Sequence, residues 1–345
     1  MKKYLLITTL FLGYGLFVAL THYQSPPLII EAATPLWTVL EELGAAGPNH
    51  KVNTNLDKVS VALGRNLVLK GSSKGEGGRS RQQSKHFVCT SCHNVQREDP
   101  DLKIADPQAR LRYAKEKGIP FLQGTTLYGA VNRSSFYNGD YEKKYGDLVK
   151  PTRNNIREAI QLCAVECSQG RRLKDWELES VLAYLWTLEF KMEDLELTAE
   201  QMTEVQNAVA SPAQSTERME MVKWLQSQYL SGSPAHFVDG PSDRKKGFEL
   251  EGDAENGQLV YDLSCKHCHE NQRYSFFNLD DSKMTFAYLK RHFKRYSKAS
   301  IYQVTRYGTP SIPGKAAYMP QYTSERMSDQ QLEDLRAYIE QKAGE

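Results

Sequence analysis

The spacing of apolar and polar residues predicts a chain built mainly of helices. Apolar positions recur at helical intervals in five segments, and the first of them ends before Gly71. These segments are 56–70, 155–163, 175–189, 198–209 and 215–230. A capping box from Ser328 to Gln331 opens a last helix with one apolar face. The stretch 93–151 has few periodic positions and contains several aromatic residues.

Two similar pentads carry the clearest chemistry in the sequence. They are Cys89-Thr-Ser-Cys92-His93 and Cys265-Lys-His-Cys268-His269. Cys-x-x-Cys-His is the spacing that joins both vinyl groups of a haem as thioethers and gives the iron a histidine ligand. We predict two covalently bound haem c groups, haem 1 at the first pentad and haem 2 at the second. We also expect the aromatic side chains of 93–151 to pack over a haem edge. A zinc half-site or a redox dithiol is the alternative use of Cys-x-x-Cys.

Each pentad is followed by a similar helix near the end of its half of the chain. The first helix contains Glu179-Ser-Val-Leu-Ala-Tyr184-Leu, and the second contains Glu333-Asp-Leu-Arg-Ala-Tyr338-Ile. This internal repeat predicts two domains of one type, each closed by its helix.

The second half resembles a class I cytochrome c domain over residues 250–345. The resemblance rests on the Gly-Asp-Ala-x-x-Gly helix start, the pentad, Tyr318-Met319-Pro320-x-Tyr322 and the last helix, in that order. It implies a small all-helical fold around the haem, with Met319 as distal ligand. The residues agree, because Pro320 prevents a helix there and fifty residues separate Met319 from His269. Met284 and Met327 are alternatives.

The stretch expected to supply the distal ligand of haem 1 contains none of the usual ones, and His50, His86 and Met192 lie outside it. Between His93 and residue 189 there is no methionine and no second histidine. Cys163 lies 21 residues before Tyr184, nearly the interval between Met319 and the tyrosine of the last helix. We therefore predict Cys163 as the thiolate ligand of haem 1. A disulfide with Cys167, or a lysine ligand from 143 or 144, stays open.

The string from Cys163 to Leu173 resembles the dihaem thiosulfate dehydrogenases and the related Sox dihaem cytochromes. That resemblance implies a cysteine-ligated haem that acts on small sulfur oxyanions, with Cys163 as a catalytic residue. The sequence departs from that family in having Ala159 where it has arginine and Cys167 where it has serine. Arg153 and Arg157 are the candidate replacements for the missing cation.

The first residues predict export from the cytoplasm. A basic start and an apolar run from Leu5 to Leu20 are typical of a secretory signal, either cleaved or kept as an anchor. The protein would then be periplasmic, or membrane-anchored facing the periplasm. The net charge of +2 decides nothing about partners, and export with two haems disfavours nucleic-acid binding. A basic run from Lys283 to Arg306 predicts an acidic redox partner protein.

Together these observations predict an all-α chain with two cytochrome c-like haem domains joined by a helical linker. The expected divisions are a signal peptide or membrane anchor at 1–22, the first cytochrome c domain at 50–195, the linker at 196–245 and the second domain at 246–345. The expected function is electron transfer between the haems and to a redox partner, haem 1 having the lower potential because its ligand is a thiolate. The alternative is a thiosulfate dehydrogenase-like oxidoreductase.

Overall fold

The computed structural model describes residues 28–75, 78–296, 300–309 and 318–345. Within these ranges the regular structure is helical, with one antiparallel pair of two-residue strands, Lys74–Gly75 and Gly78–Arg79. The all-α prediction is confirmed. In chain order the helices are α1 (Leu36–Glu42), α2 (Val61–Lys70), α3 (Pro107–Lys117), α4 (Tyr141–Tyr145), α5 (Ile156–Leu162), α6 (Asp175–Trp186), α7 (Ala199–Ala210), α8 (Thr216–Gln226), α9 (Ala254–Val260), α10 (Lys266–His269), α11 (Lys283–Phe293), α12 (Ile301–Tyr307) and α13 (Asp329–Gly344).

Capping residues set the ends of the predicted helices. The predicted start of α2 at residue 56 is wrong, because Ser60 is its N-cap and accepts a hydrogen bond from the Leu63 N–H. Its predicted end is confirmed, since Gly71 takes the left-handed conformation and bonds back to Leu67. The capping box that opens α13 is confirmed as well.

Helix α3 lies in the stretch for which the sequence pattern predicted little regular structure. Its ends carry standard signals, with Asp106 as N-cap, Pro107 in the first turn and Gly118 in a left-handed C-cap. Leu111 and Ala114 are its buried apolar residues, with Arg110 buried beside them, and that weak periodicity hid the helix. The caps alone were the available signal.

The internal repeat of the sequence reappears as the same helix contact in each half. A Cβ on Gly64 of α2 would lie 1.7 Å from the Ser180 carbonyl oxygen of α6. A Cβ on Gly257 of α9 would lie 1.9 Å from the Asp334 carbonyl oxygen of α13. Ser180 and Asp334 occupy equivalent positions in the repeat. Glycine therefore allows the opening and closing helices to touch backbone to backbone in both halves.

The helix N-caps strengthen this correspondence. The backbone N–H of Ser60 donates to Ser180 Oγ at 3.2 Å, and that of Asp253 donates to Asp334 Oδ1 at 2.9 Å. In each half the cap stands four residues before the contact glycine. The two helix pairs thus share the same glycine contact and the same hydrogen bond from the N-cap residue to the closing helix.

Most of the buried apolar residues that the structure describes form three clusters. One joins α2, α5 and α6, and a second joins α1 with α7, α8 and residues 190–195. The third surrounds α9, α11 and α13 and also takes in Leu111 and Phe121, on and just after α3. The domain boundaries stay a prediction. The structure adds that α3, from the first half, packs into the core of the second.

The predicted signal or anchor at 1–22 lies outside the described residues. Among the helices that the structure describes, none has the length and apolar character needed to cross a membrane.

We predict that Gly257→Ala destabilises the protein by about 2 kcal/mol or more, because the new methyl group forces α9 away from the α13 backbone. Gly344→Ala is the control, since no neighbouring atom lies within 4 Å of the added Cβ. Chemical denaturation of both variants checks this expectation. Equal midpoints for the two variants would contradict the close backbone contact.

Candidate haem centres

The second pentad lines a large, mostly apolar cavity. Cys265 ends a π-helical turn that continues α9, and Cys268 and His269 lie on α10. All three side chains border a cavity of about 430 Å³, and Met319 borders it too. A π turn accommodates one extra residue per turn and is frequent at functional sites.

The histidine of this pentad is oriented for metal binding. Its Nδ1 lies 2.9 Å from the Phe277 carbonyl oxygen, and that bond leaves Nε2 free. Burial lowers the pKa of His269, which favours the neutral imidazole that binds metals. Thiols, imidazole and apolar walls in one cavity fit a covalently held haem.

The segment around Met319 is fixed by backbone bonds. The Met319 N–H donates to Thr309 Oγ1 at 2.7 Å, and the Thr309 N–H donates to the Met319 carbonyl at 2.9 Å. Met284 is 81 % exposed, far more than a residue of the cavity wall. Met327 is buried and also borders the cavity. The structure thus brings His269 and Met319 to one cavity and leaves Met284 outside it.

Residues 252–339 match the family described as cytochrome c oxidase, cbb3-type, subunit III. This part of the chain is a c-type cytochrome domain. The match covers about a quarter of the chain and implies a covalently bound haem c and a role in electron transfer. No curated protein and no solved structure matches the chain.

The first pentad repeats the histidine arrangement of the cytochrome domain. Cys89 begins a 3₁₀ turn, and Cys92 and His93 follow it. The Nδ1 atom of His93 lies 2.6 Å from the Thr125 carbonyl oxygen, so Nε2 is again free. A Cβ on Gly124 would lie 2.7 Å from the His93 ring, and glycine is therefore required beside it. Burial lowers the pKa of His93, as in the second pentad.

Cys163 and Cys167 begin and end a second π turn, which continues α5. Both are free thiols in the structure, so the disulfide alternative is not formed there. Each thiol changes the pKa of the other, so that the pKa of Cys167 is lowered to about 6 and that of Cys163 is raised. Tyr145 and Tyr137 also hydrogen-bond to Cys167 Sγ, at 3.3 and 3.5 Å. Anionic sulfur is thus favoured at Cys167.

Sequence reasoning chose Cys163 and missed the surroundings of Cys167. The tyrosines of 137–145 were expected only to pack over a haem edge, and nothing in their spacing indicates that two of them meet one thiol. Both cysteines lie close enough to the thiols of the first pentad for their charges to interact. Cys167 interacts with Cys92, and Cys163 interacts with Cys89 and Cys92. The ligation of haem 1 by Cys163 stays a prediction.

The other candidate ligands and cations have partners elsewhere. Lys143 is paired with Asp140 at 2.9 Å, and Lys144 Nζ donates to Gln321 at 3.1 Å. Arg157 is paired with buried Glu179, and Arg153 with Glu142. The arginines offered as sulfur-oxyanion donors therefore already hold carboxylates.

The two pentads are in direct contact. Cys268 Sγ lies 4.0 Å from the Ser91 carbonyl oxygen, in the middle of the first pentad. The His267 ring faces the backbone of Thr90 and Ser91. Just outside the second pentad, the Phe121 N–H donates to the Leu263 carbonyl at 2.9 Å. The two attachment sites are thus neighbours across the interface between the two halves.

The basic run between 283 and 306 is only partly a surface feature. Lys283, Lys290, Arg291, Lys294 and Arg295 are exposed along and just after α11. Including Arg306 was wrong, because its side chain is buried and paired with Asp329 at 2.5 Å. Phe276 and Phe277 are exposed at the cavity wall. A basic surface with exposed aromatic residues therefore adjoins the second centre.

Proposed function

We propose that the chain is an exported dihaem c-type cytochrome, which transfers electrons between haem 1 and haem 2 and then to a redox partner. The observation that supports this most is the 4.0 Å contact between Cys268 Sγ and the Ser91 carbonyl oxygen. When bound, each haem supplies a reversible one-electron carrier. Attachment through touching pentads keeps the two carriers close.

The case for haem 1 rests on the likeness between the two pentads. His93 and His269 each give Nδ1 to a backbone carbonyl, which fixes the ring and leaves Nε2 for the iron. Cys89 and Cys92 have the same spacing as the pair in the cytochrome domain. The glycine contacts at Gly64 and Gly257 extend this likeness to the helices around each pentad.

The direction of electron flow follows from unequal sulfur ligands. Bound iron would deprotonate Cys163 despite its raised pKa, as metals do to coordinating thiols, and the resulting thiolate would stabilise ferric iron at haem 1. Met319 would provide a neutral thioether at haem 2. Haem 1 then has the lower potential, so that electrons leave it for haem 2. The apolar start of the chain directs it to the periplasm, free or anchored, where haem c is attached in bacteria.

We predict that the intact protein carries two covalent haems. Cys89→Ser with Cys92→Ser removes one haem mass, and Cys265→Ser with Cys268→Ser removes one as well, because each pentad forms its own thioethers. Mass spectrometry of the denatured proteins measures this. A wild-type mass with a single haem would reject the dihaem proposal and leave a single-haem cytochrome.

Variants of the two cysteines test which thiol is the ligand of haem 1. We expect Cys163→Ala to abolish the low-spin thiolate signal of haem 1 in electron paramagnetic resonance, since the variant removes the ligand sulfur. Cys167→Ala is the matched control, one helical turn away, and it should keep that signal. The reverse result would assign the ligand to Cys167.

The same variants test the alternative enzyme activity. The carrier proposal predicts that thiosulfate does not reduce the wild-type haems, because Arg153 and Arg157 already hold carboxylates. Sustained haem reduction by thiosulfate that Cys163→Ala abolishes would instead establish a thiosulfate dehydrogenase-like enzyme with Cys163 as catalytic residue.

The basic surface beside haem 2 suits an acidic redox partner protein. Lys283, Lys290, Arg291 and Arg295 are exposed there, and Phe276 and Phe277 give apolar area at the cavity wall. Opposite charges raise the rate of encounter between such proteins.

We predict that Lys290→Gln with Arg291→Gln slows electron exchange with an acidic redox protein several-fold at low salt, because the variant removes two attracting charges. Lys115→Gln with Lys117→Gln removes the same charge from α3 and should have little effect. Stopped-flow rates at two ionic strengths measure both. A rate that is independent of salt in the wild type would exclude electrostatic docking.

A further inference from the structure

We propose that Arg326 is a positioning residue for His93, holding from the second half of the chain the carbonyl to which the His93 ring is bonded. This inference rests on the proposed function, because it takes His93 as the proximal ligand of haem 1. Arg326 acts through the backbone segment 122–126, since its guanidinium donates to Leu122, Gly124 and Glu98 and not to His93.

The segment that carries Thr125 has little regular structure of its own. Its residues lie outside the helices, yet the Thr125 carbonyl accepts the bond from His93 Nδ1 at 2.6 Å. The Gly124 N–H donates to the Cys92 carbonyl at 3.0 Å, which links the segment to the pentad. A histidine held by such a loop is only as well fixed as the loop is.

The Arg326 guanidinium supplies the missing support. It donates to the Leu122 carbonyl at 2.8 Å and to the Gly124 carbonyl at 2.6 Å. It also donates to Glu98 at 2.7 Å. Two of these acceptors belong to the loop, on the near side of Thr125.

Glu98 binds the loop on the C-terminal side of Thr125. Its carboxylate accepts the Thr126 N–H at 2.8 Å, and its other oxygen accepts Asn94 Nδ2 at 3.0 Å. Asn94 follows His93 directly in the chain and also donates to the Pro120 carbonyl at 2.9 Å. Glu98 and Arg326 together thus hold the loop on both sides of the carbonyl.

Burial makes this arrangement specific for arginine. Glu98 is 1 % exposed and Arg326 is 7 % exposed, so water cannot replace a lost donor. A planar guanidinium reaches two carbonyls and a carboxylate at once, whereas an ammonium group at the same position lacks that fork. Arg110 donates in turn to the Arg326 carbonyl, which fixes the arginine backbone.

The expected consequence is a lower redox potential of haem 1. A firm hydrogen bond from Nδ1–H makes Nε2 a stronger donor to iron, and a stronger donor favours the ferric state. Loosening the loop weakens this bond, so that the potential of haem 1 rises. The corresponding carbonyl for His269 belongs to Phe277, on a separate segment, which makes haem 2 an internal reference.

Arg326→Lys in the holoprotein is the test, because it keeps the charge and removes the fork. A redox titration followed by electron paramagnetic resonance should give an upward shift of the haem 1 midpoint and no shift for haem 2. Arg306→Lys is the matched control, since Arg306 is also buried, also pairs with a carboxylate and donates to the Met327 carbonyl. It should leave haem 1 unchanged.

A second variant keeps the proposal testable if Arg326→Lys fails to fold. Asn94→Ala removes a neutral donor to Glu98 and to the Pro120 carbonyl, and it should shift haem 1 in the same direction by a smaller amount. An unshifted haem 1 in a folded variant with two haems, or equal shifts of both haems, would overturn the positioning role alone. A wild-type mass with one haem would overturn it together with the proposed function.

Discussion

Both candidate centres depend on one hydrogen bond, from a histidine Nδ1 to a backbone carbonyl. The bond lies between His93 and Thr125 in the first centre and between His269 and Phe277 in the second. It fixes the imidazole plane and leaves Nε2 as the only ring atom that can bind iron. In each pentad the cysteines can attach a porphyrin covalently, but the carbonyl fixes the orientation of the histidine that would bind its iron.

The carbonyl of the first centre is held from the other half of the chain, and that support ties the two halves together. The loop at Thr125 is supported by Arg326 of the second half, and α3 packs into the core of the cytochrome domain. The Glu98–Arg326 pair is buried, and removing one partner of such a pair typically costs about 3–5 kcal/mol. The first centre is therefore built partly by the cytochrome domain, and the two pentads are held in contact.

The elements that are local in sequence could be predicted, because short-range spacing dictates them. The pentads, the capping box at Ser328 and the two closing helices needed no long-range information. The repeat was visible as Glu179–Leu185 and Glu333–Ile339, although the glycine contacts that make the halves alike required coordinates. Helix α3 was missed because it has too few buried apolar residues to show a helical pattern, although its caps are standard.

The remainder of the site could not be read from the sequence, because it depends on contacts between distant residues. Tyr137 reaches Cys167 from 30 positions away, and Glu98 meets Arg326 across 228. Arg306 looked like one charge of a basic run, but its burial against Asp329 depends on how α12 packs. Spacing therefore indicated which residues carry the chemistry, while packing determined what surrounds them.

The most direct test of two unlike haems attached at touching pentads is low-temperature electron paramagnetic resonance during stepwise reduction of the oxidised protein. The account predicts that haem 2 is reduced first and that the low-spin signal of haem 1 then sharpens, because a neighbouring paramagnetic iron has disappeared. Signals of the two haems that disappear independently, with no change in line shape, would contradict the contact between the two centres.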